Sequence, residues 1–399
     1  MPTSLPSGFS ASGTTCGIKA SGNPDLALFV SDRPAAAAGV FTTNKVCGAP
    51  VIVSRQRVPS DSARAVIVNS GNSNAATGEP GIRNAEAMTA LVASALNCNP
   101  HDVLVCSTGV IGVPLPMHLL NAGIPPAVQQ LGQSDDHLRH AAVAMMTTDT
   151  VPKLISVDIH ASGGVIRVSG VCKGAAMIAP NMATMLAVIL TDAKLSPSDC
   201  SQILKTAVAE TFNCISVDGH MSTSDTVLLL AGGAADFQPT PTDLTAITAA
   251  VTEVCRHLAT SIIRDAEGAA HFITVDVAGL ATREDAFQIA KHIADSPLVK
   301  TAVAGADPNW GRIVSAAGYA GVNFDPAFVS LHINQTQVYN AGTPVPFDAA
   351  ALSHSIKTNR DVHLELALSG GPSAGNQSVR FWTSDLTTEY VRLNSEYTT

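Results

Sequence analysis

The sequence predicts a mixed α/β fold, and three observations support this class. Short apolar runs bounded by turn residues, at 184–190 and 226–231, have the length of buried strands. Longer stretches with apolar residues at helical spacing, at 83–97 and 244–267, indicate amphipathic helices. The 399 residues are 46% hydrophobic and only 14% charged, so the chain can bury a large core, and its length predicts about two to three domains.

The other predicted elements alternate along the chain in the same way. Ser196 and Pro197 form an N-cap and first-turn signal for a helix that ends near Glu210. A polar Ala-Ser-Gly-Gly turn at 161–164 separates two alternating runs and predicts a hairpin. Strands are predicted at 34–43, 66–69, 102–107, 154–160, 164–169, 272–278, 328–334, 363–369 and 378–383. Helices are predicted at 117–132, 135–146, 283–295 and 347–357.

Composition argues against several classes of protein. The net charge of −9 is opposite to the basic surface of a nucleic-acid-binding protein. The N-terminus lacks the basic and apolar regions of a signal peptide, and no apolar run reaches the roughly 18 residues of a membrane span. The eight cysteines are scattered without a Cys-x-x-Cys pair, which indicates reduced thiols. We therefore expect a cytoplasmic protein without membrane or nucleic-acid partners.

Two polar segments follow predicted strands. The first, Ser70–Gly78, is rich in Asn and Gly but lacks both the Gly-Lys-Ser/Thr of a phosphate-binding loop and a G-x-G-x-x-G spacing. The second is Thr108-Gly109, where a strand end offers a hydroxyl and backbone N–H groups, the components of an oxyanion hole. From the residues alone, an ordinary glycine turn is the commoner explanation of the second segment.

The segment from Lys173 to Asp192 contains the strongest candidate nucleophile. Ala183 precedes Thr184 where a polar loop becomes a buried apolar run. A threonine hydroxyl becomes a useful nucleophile when its own α-amine, with a pKa of about 7.7, accepts the proton. That amine is free only after the chain is cut before Thr184. Without further information, an Ala-Thr pair in an apolar strand is usually part of the core.

Cys172 is a second residue with two possible interpretations. The neighbouring Lys173 would favour its reactive thiolate, but a buried, inert thiol is more common.

The whole string resembles the nucleophile segment of the ornithine acetyltransferase family, the glutamate N-acetyltransferases of the cyclic arginine pathway. The usual form is K-G-x-G-M-I-x-P-N-M-A-T-M-L, and this chain departs from it only at Ala176, where Gly is usual. A further family-like loop has His220 where Asp is usual and Ser224 where Asn is usual. Other matching strings lie at 69–74, 107–112, 146–153, 296–301, 306–312 and in the C-terminal tail.

The resemblance implies a layered mixed α/β sandwich of the self-cleaving ornithine acetyltransferase type, with a smaller C-terminal lobe. It implies that the precursor cuts itself between Ala183 and Thr184. The products are an α chain of residues 1–183 and a β chain of residues 184–399, which remain together as an α2β2 heterotetramer.

The implied reaction moves an acetyl group from N2-acetyl-L-ornithine to Thr184 and then to L-glutamate, without a metal or organic cofactor. Thr108 and Gly109 correspond to the residues that stabilise the oxyanion. The implied substrate contacts are Thr147, Lys173, Thr184, Glu267, Asn394 and Thr399. Some members also use acetyl-CoA as donor, and this sequence has no motif that decides the matter.

Two alternatives remain open at the level of sequence. Related self-cleaving folds act as amidases or aminopeptidases, with water as the acceptor. A non-catalytic relative would bind an amino acid as an uncut chain. An assay with and without glutamate separates the first alternative from the transferase, and the presence of Thr184, Thr108 and Gly109 together favours an enzyme over the second.

Overall fold

The computed structural model describes residues 3–178 and 185–396. These residues form two compact units, which are described separately. Of the described residues, unit 1 comprises 3–178, 185–213 and 221–262, and unit 2 comprises 214–220 and 263–396. The predicted strand at 184–190 begins in the structure at Leu186, and residues 183, 184 and 399 lie outside the described part of the chain.

The strands and helices alternate as the sequence predicts. The strands are β1 Phe9–Thr14, β2 Leu26–Phe41, β3 Ser60–Asn72, β4 Val103–Val110, β5 Lys153–Ala161, β6 Gly164–Lys173, β7 Leu186–Thr191, β8 Ile215–Ser216, β9 Thr226–Ala231, β10 Phe272–Leu280, β11 Val329–Ile333, β12 Thr336–Asn340, β13 Thr343–Pro344, β14 Asp361–Leu368 and β15 Ala374–Ser384. The helices are α1 Ala49–Arg57, α2 Gly78–Leu96, α3 Met117–Gln129, α4 Asp135–Met145, α5 Pro197–Glu210, α6 Pro241–Arg264, α7 Arg283–Asp295, α8 Pro297–Ala304, α9 Trp310–Gly318, α10 Ala349–Thr358 and α11 Thr388–Glu396. The mixed α/β class is confirmed.

Unit 1 is built on one mixed sheet. Its strand order is β4-β3-β2-β9-β7-β6-β5, and β1 pairs with β2. The β3–β4 and β7–β9 pairs are parallel, whereas β2 is antiparallel to β3 and to β9. The 16-residue β2 pairs with β3 through its first half and with β9 through its second half, so this strand joins the two parts of the sheet.

Helices cover both faces of this sheet, because alternate residues of its buried strands are apolar on both sides. Ala27 and Phe29 face a core that includes the buried residues of α4. Leu26 and Leu28 face a second core, which includes the buried residues of α2 and α3. The helices begin where the sequence indicates: Ser196 and Asp199 form a complete capping box at the start of α5.

Unit 2, the smaller of the two, contains a second mixed sheet with the order β13-β12-β11-β14-β10-β15-β8. Its β14 alternates buried and more exposed residues, a pattern typical of a strand with one face on the core. β10 pairs in parallel with β14 and antiparallel with β15.

One helix boundary differs from the prediction in a way that affects the site. The apolar pattern from 244 to 267 suggested that Glu267 ends a long helix, but α6 ends at Arg264. Glu267 and Gly268 form a turn beyond it, with Gly268 at φ +66°. The Glu267 carboxylate therefore lies beyond the last turn of α6.

Among the described residues, none of the helices combines the length and the apolar character that crossing a membrane requires.

Candidate active site

Thr108 and Gly109 lie at the end of β4, in parallel register with Ser70 and Gly71 of β3. Gly109 adopts φ +130°, and a Cβ atom at this position would lie 2.3 Å from the carbonyl carbon of Gly71. Real Cβ contacts are never this short, so the close approach of the two strand ends requires glycine here. The neighbouring Ser107 is also fixed, since its hydroxyl donates to Asn69 Oδ1.

The Asn-rich loop after β3 supports the segment that follows Gly109. Asn72 Nδ2 donates to the carbonyl oxygens of Val113 and Pro114 at 3.1 and 3.3 Å. The backbone N–H and the hydroxyl of Ser73 both donate to the carbonyl oxygen of Val110. Such contacts replace the hydrogen bonds that a loop otherwise makes to water. The loop therefore fixes the backbone of the chain from Val110 to Pro114.

Lys173, at the end of β6, reaches the same strand end. Its Nζ donates to Thr108 Oγ1 at 3.2 Å, and its side chain is buried. Four other strands separate β6 from β4 in the strand order, so this hydrogen bond requires the sheet to curl. The structure thus brings together two of the candidate site residues that are 65 positions apart in the chain.

A buried carboxylate that the sequence analysis did not single out holds the surrounding backbone. Asp149 Oδ1 accepts hydrogen bonds from Lys153 Nζ and from the Gly174 backbone N–H, both at 2.7 Å. Its Oδ2 accepts the Thr147 N–H at 3.0 Å. Burial alone would raise the pKa of the Asp149 carboxyl, but Lys173, Lys153 and the Gly174 N–H outweigh burial and lower that pKa. One ionised carboxylate therefore fixes the segments that carry Thr147 and Lys173.

Met185, which follows the predicted nucleophile in the chain, is also fixed. Met185 donates its backbone N–H to Asp225 Oδ1 at 3.0 Å, and its carbonyl oxygen accepts the Thr226 N–H at 3.1 Å. Asp225 is fully buried, burial raises the pKa of its carboxyl well above the usual value, and its Oδ2 has no hydrogen-bond partner among the described residues. The start of β7 is therefore tied to the start of β9 in both directions. The predicted nucleophile itself, Thr184, lies outside the described residues, as does Ala183.

In unit 2, Glu267 and Asn394 lie in contact. Asn394, on α11, donates from Nδ2 to Glu267 Oε2 at 3.0 Å. A Cβ atom on Gly268 would lie 2.4 Å from the backbone nitrogen of Tyr390, so the turn after α6 packs directly on the backbone of α11. Thr387 Oγ1 adds a hydrogen bond to the Gly268 carbonyl oxygen at 2.6 Å. The C-terminal segment is thus folded back as far as Glu396, while Thr399 lies outside the described residues.

The two departures from the family pattern differ in their surroundings. His220 is exposed, and its backbone N–H donates to Asp218 Oδ1 at 3.1 Å. The other oxygen of Asp218 accepts a hydrogen bond from the Tyr390 hydroxyl at 3.2 Å, so the His220 loop contacts α11. Ala176 is half-buried in the segment that leads to the predicted cleavage point.

Cys172 has the properties of an inert core thiol. It is fully buried, its Sγ lies 3.8 Å from the Leu258 carbonyl oxygen, and burial raises the pKa of the thiol. Desolvation exceeds the effect of the neighbouring lysines, so the thiolate is disfavoured. The eight cysteines are all free, as the sequence indicated.

Unit 2 contains one group with metal-ligand chemistry among the described residues: Asp276, His363 and Glu365. Arg380 donates to both oxygens of Asp276, at 2.8 and 2.7 Å, and His363 Nε2 lies 2.8 Å from Asp276 Oδ2. A bidentate guanidinium already neutralises this carboxylate. We therefore interpret the group as an ion-pair network on the sheet surface.

The described part of the site combines a hydroxyl and a strained glycine at a strand end with a buried ammonium. Backbone N–H groups and a hydroxyl at such a position can stabilise a developing oxyanion, and an ammonium can bind a carboxylate. Together with the mixed α/β fold, these features fit the class of acyl-transfer enzymes that act on small carboxylates.

Comparison with known proteins gives the family within this class. The sequence model of the ArgJ family matches residues 10–399. The chain is 48% identical to the arginine biosynthesis bifunctional protein ArgJ of Rhodopirellula baltica, over 99% of this chain and 96% of that protein. It is 44% identical to the protein of the same name from Thermosynechococcus vestitus, over 98% of this chain and 96% of that protein.

A crystal structure of ArgJ from Bacillus halodurans is also similar, with 36% identity and a TM-score of 0.49 over 52% of this chain and 96% of that chain. The protein belongs to the ArgJ family of arginine-biosynthesis proteins, and the family predicted from the sequence strings is confirmed.

Proposed function

We propose that the protein is a self-processing acetyltransferase whose nucleophile is Thr184. In the precursor, Thr184 Oγ attacks the carbonyl carbon of Ala183, and the peptide C–N bond breaks to leave an ester and a free α-amine. Water hydrolyses the ester. This gives an α chain of residues 1–183, ending in a carboxylate, and a β chain of residues 184–399, beginning with a threonine whose amine can act as base.

Acetyl transfer then proceeds in two balanced steps. Thr184 Oγ attacks the acetyl carbon of N2-acetyl-L-ornithine, the amide C–N bond breaks, and ornithine leaves with the proton taken up by the amine. The α-amine of L-glutamate then attacks the acetyl ester, which releases Thr184 and gives N-acetyl-L-glutamate. Thr108 and Gly109 stabilise the oxyanion in both steps.

One observation supports this assignment most directly: the hydrogen bond from Lys173 to Thr108 at 3.2 Å. The resemblance assigns Thr108 to the oxyanion and makes Lys173 a substrate contact, and the Lys173 ammonium suits a substrate carboxylate. These groups must be neighbours if the carboxylate and the reacting carbon belong to one acylated amino acid. Asp149 supports the same site, because it holds the backbone of Thr147 and of Gly174. In unit 2, the contact between Glu267 and Asn394 supports the assignment of both as substrate contacts, with Glu267 as the residue that meets the ornithine part of the donor.

The proposal extends to the assembly and its setting. The two chains remain together and pair as an α2β2 heterotetramer in the cytoplasm, with small amino acids as substrates. The matched relatives are named bifunctional proteins, so the activity assay includes acetyl-CoA as a second donor beside N-acetylornithine.

The first test is the intact mass of the purified protein under denaturing conditions. We expect two fragments, the second beginning at Thr184, and a single uncut chain for Thr184→Ala. Cleavage of the Thr184→Ala variant at the same bond would contradict the mechanism.

The second test is an assay of acetyl release with and without glutamate. A transferase produces N-acetylglutamate and accelerates ornithine release when glutamate is added, whereas an amidase releases acetate at a rate that does not depend on glutamate. Thr184→Ala serves as the inactive control. Equal rates of acetate release in both conditions would replace the transferase assignment with hydrolysis.

A further inference from the structure

One buried carboxylate, that of Asp25, fixes the loop between β1 and β2. Asp25 is fully buried, and its carboxylate accepts the backbone N–H groups of four consecutive residues. These donors are Cys16 at 2.7 Å, Gly17 at 3.0 Å, Ile18 at 2.6 Å and Lys19 at 3.0 Å. Hydrogen bonds to a buried charged acceptor are among the stronger ones in proteins. The backbone position of Lys19 is therefore rigidly defined.

This loop lies against the end of β3, next to the predicted oxyanion site. A Cβ atom on Gly71 would lie 3.1 Å from Lys19 Cγ and 3.5 Å from the Lys19 backbone nitrogen. Gly71 is the register partner of Gly109. The stem of Lys19 therefore covers the β3 residue that faces Gly109 across the strand pair.

Lys19 is within electrostatic range of the charged groups of Asp25, Asp149 and Lys173, which with Lys153 are called the charge cluster here. Burial lowers the pKa of the Lys19 ammonium, Asp25 and Asp149 act in the opposite direction, and Lys173 lowers it further. The cluster contains three ammonium groups, of Lys19, Lys153 and Lys173, and two carboxylates, of Asp25 and Asp149. It has an excess of positive charge in a chain whose net charge is −9.

The ammonium of Lys19 is the half-buried member of this cluster. Its Nζ donates to the Pro24 carbonyl oxygen at 2.6 Å, and within residues 3–178 and 185–396 it forms no ion pair. An ammonium has three N–H donors, so this hydrogen bond leaves capacity for a further acceptor. Lys153, in contrast, lies buried against Asp149 at 2.7 Å.

The reaction described above creates a need for such a group. The side chain of the donor ends in an ammonium, for which Glu267 is the assigned partner, whereas the side chain of glutamate ends in a carboxylate. A carboxylate group on the protein cannot favour both. Lys173 lies beside Thr108, at the reacting centre, and suits the α-carboxylate that both substrates share. The side-chain carboxylate of glutamate lies two methylene groups further away and requires a separate cation.

We propose that Lys19 forms the subsite for the side-chain carboxylate of the acceptor amino acid and so selects a dicarboxylate. This inference rests on the proposed function.

The test compares L-glutamate with L-glutamine, which has the same shape but no side-chain charge. Calorimetry measures the binding of each amino acid to the mature protein, and an activity assay measures each one as an acetyl acceptor. In Lys19→Met, we expect glutamate to bind about 10- to 100-fold more weakly and its KM to rise by the same factor, the loss expected for one charge-assisted hydrogen bond. Binding of glutamine and the KM for N-acetylornithine should change less than about twofold. Lys19→Arg should retain the preference for glutamate, and Lys205→Met, an exposed lysine on α5, is the matched control.

The outcomes separate this inference from the proposed function. Equal losses for glutamate and glutamine in Lys19→Met would overturn the assignment to the side-chain carboxylate, as would no loss for either. In both cases, wild-type protein that cleaves itself and transfers acetyl would leave the proposed function standing. Wild-type protein that neither binds glutamate nor transfers acetyl would overturn both. A thermal unfolding curve of Lys19→Met that matches wild type excludes misfolding as the cause of a loss.

Discussion

Gly109 occupies a point where two strand ends approach too closely for a side chain. Two features disfavour any side chain at this position. They are the positive φ of +130° and the 2.3 Å distance that a Cβ atom would have to the Gly71 carbonyl carbon. They occur where the β3–β4 pairing, regular up to Ser70 opposite Thr108 and Gly71 opposite Gly109, becomes irregular at Asn72. The backbone conformation that presents the Thr108–Gly109 pair is therefore a property of the strand pair.

We predict that Gly109→Ala reduces acetyl transfer by at least about 10²-fold, the effect of losing one oxyanion donor, because the added Cβ displaces the backbone N–H groups. Because alanine rarely adopts a positive φ, the backbone strain alone should lower the free energy of unfolding of the variant by about 1–3 kcal/mol. The measurements are kcat for acetyl transfer and chemical denaturation.

Gly112→Ala is the matched control for this prediction. Gly112 also has a positive φ, +79°, but a Cβ atom there would have no neighbour within 4 Å. Its variant should lose a comparable amount of stability and keep most of its activity. Equal activity of the two alanine variants would show that the close approach at Gly109 has no part in catalysis.

At the scale of elements, the sequence predicts best where apolar residues have a clear period. The strand β9 and the helix α7 have the bounds that the sequence suggested. The helix α1 was not predicted, because its Val51-Ile-Val53 run consists of β-branched residues that favour strands. The helix α11 was not predicted either, since it contains no buried residue and thus has no apolar face to recognise.

Polar contacts from distant parts of the chain hold α11 instead. They include Tyr390 with Asp218 and Asn394 with Glu267, which are 172 and 127 residues apart. No local pattern encodes such pairs, and only the family resemblance indicated that the tail returns to the site. The same limit applies to Asp149: its role depends on three backbone and side-chain donors that the fold assembles around it.

We predict that Gly268→Ala loosens α11 without unfolding unit 2. The added Cβ would lie 2.4 Å from the backbone nitrogen of Tyr390, so the helix must shift away from the turn that carries Glu267. Hydrogen exchange of the α11 amides should accelerate about tenfold or more, which corresponds to a loss of about 1.4 kcal/mol in local stability. The KM for N-acetylornithine should rise in parallel.

The control is Gly321→Ala in the same unit. Gly321 has a similar positive φ, +77°, and open space around its Cβ position. It should lose stability through backbone strain and leave the exchange of α11 unchanged. If α11 exchanges at the wild-type rate in Gly268→Ala, then contacts other than this turn position the helix.

At the scale of the whole molecule, the predicted cut would divide the chain between β6 and β7, two strands of one sheet. Residues on either side of the cleavage point pair with each other: β6 is antiparallel to β7 from Val168↔Thr191 to Lys173↔Leu186. The second half of β2 pairs with β9 in the same way, from Ala36↔Ala231 to Phe41↔Thr226. Two strand pairs of unit 1 would thus each join an α-chain strand to a β-chain strand.

Helix packing adds to this connection. A Cβ atom on Gly170 of β6 would lie 2.5 Å from Val254 Cγ1 and 2.9 Å from Leu258 Cδ1, so α6 packs directly on the backbone of β6. Separating the chains would expose these surfaces and leave the edge of each strand without its ladder of hydrogen bonds. Burial of apolar surface contributes about 25 cal/mol per Å², so these contacts oppose separation of the two chains after the cut.

We therefore predict that the two fragments produced by cleavage at Thr184 stay together without denaturant. They should elute as one species in size-exclusion chromatography and unfold in a single transition, and they should separate only in urea or guanidinium. The uncut Thr184→Ala chain is the control and should elute at the same native volume. Elution of either fragment alone in native buffer would mean that the pairing of β6 with β7 does not survive the cut. Because that pairing holds β7 and Met185 in place, acetyl transfer should then be lost together with the association.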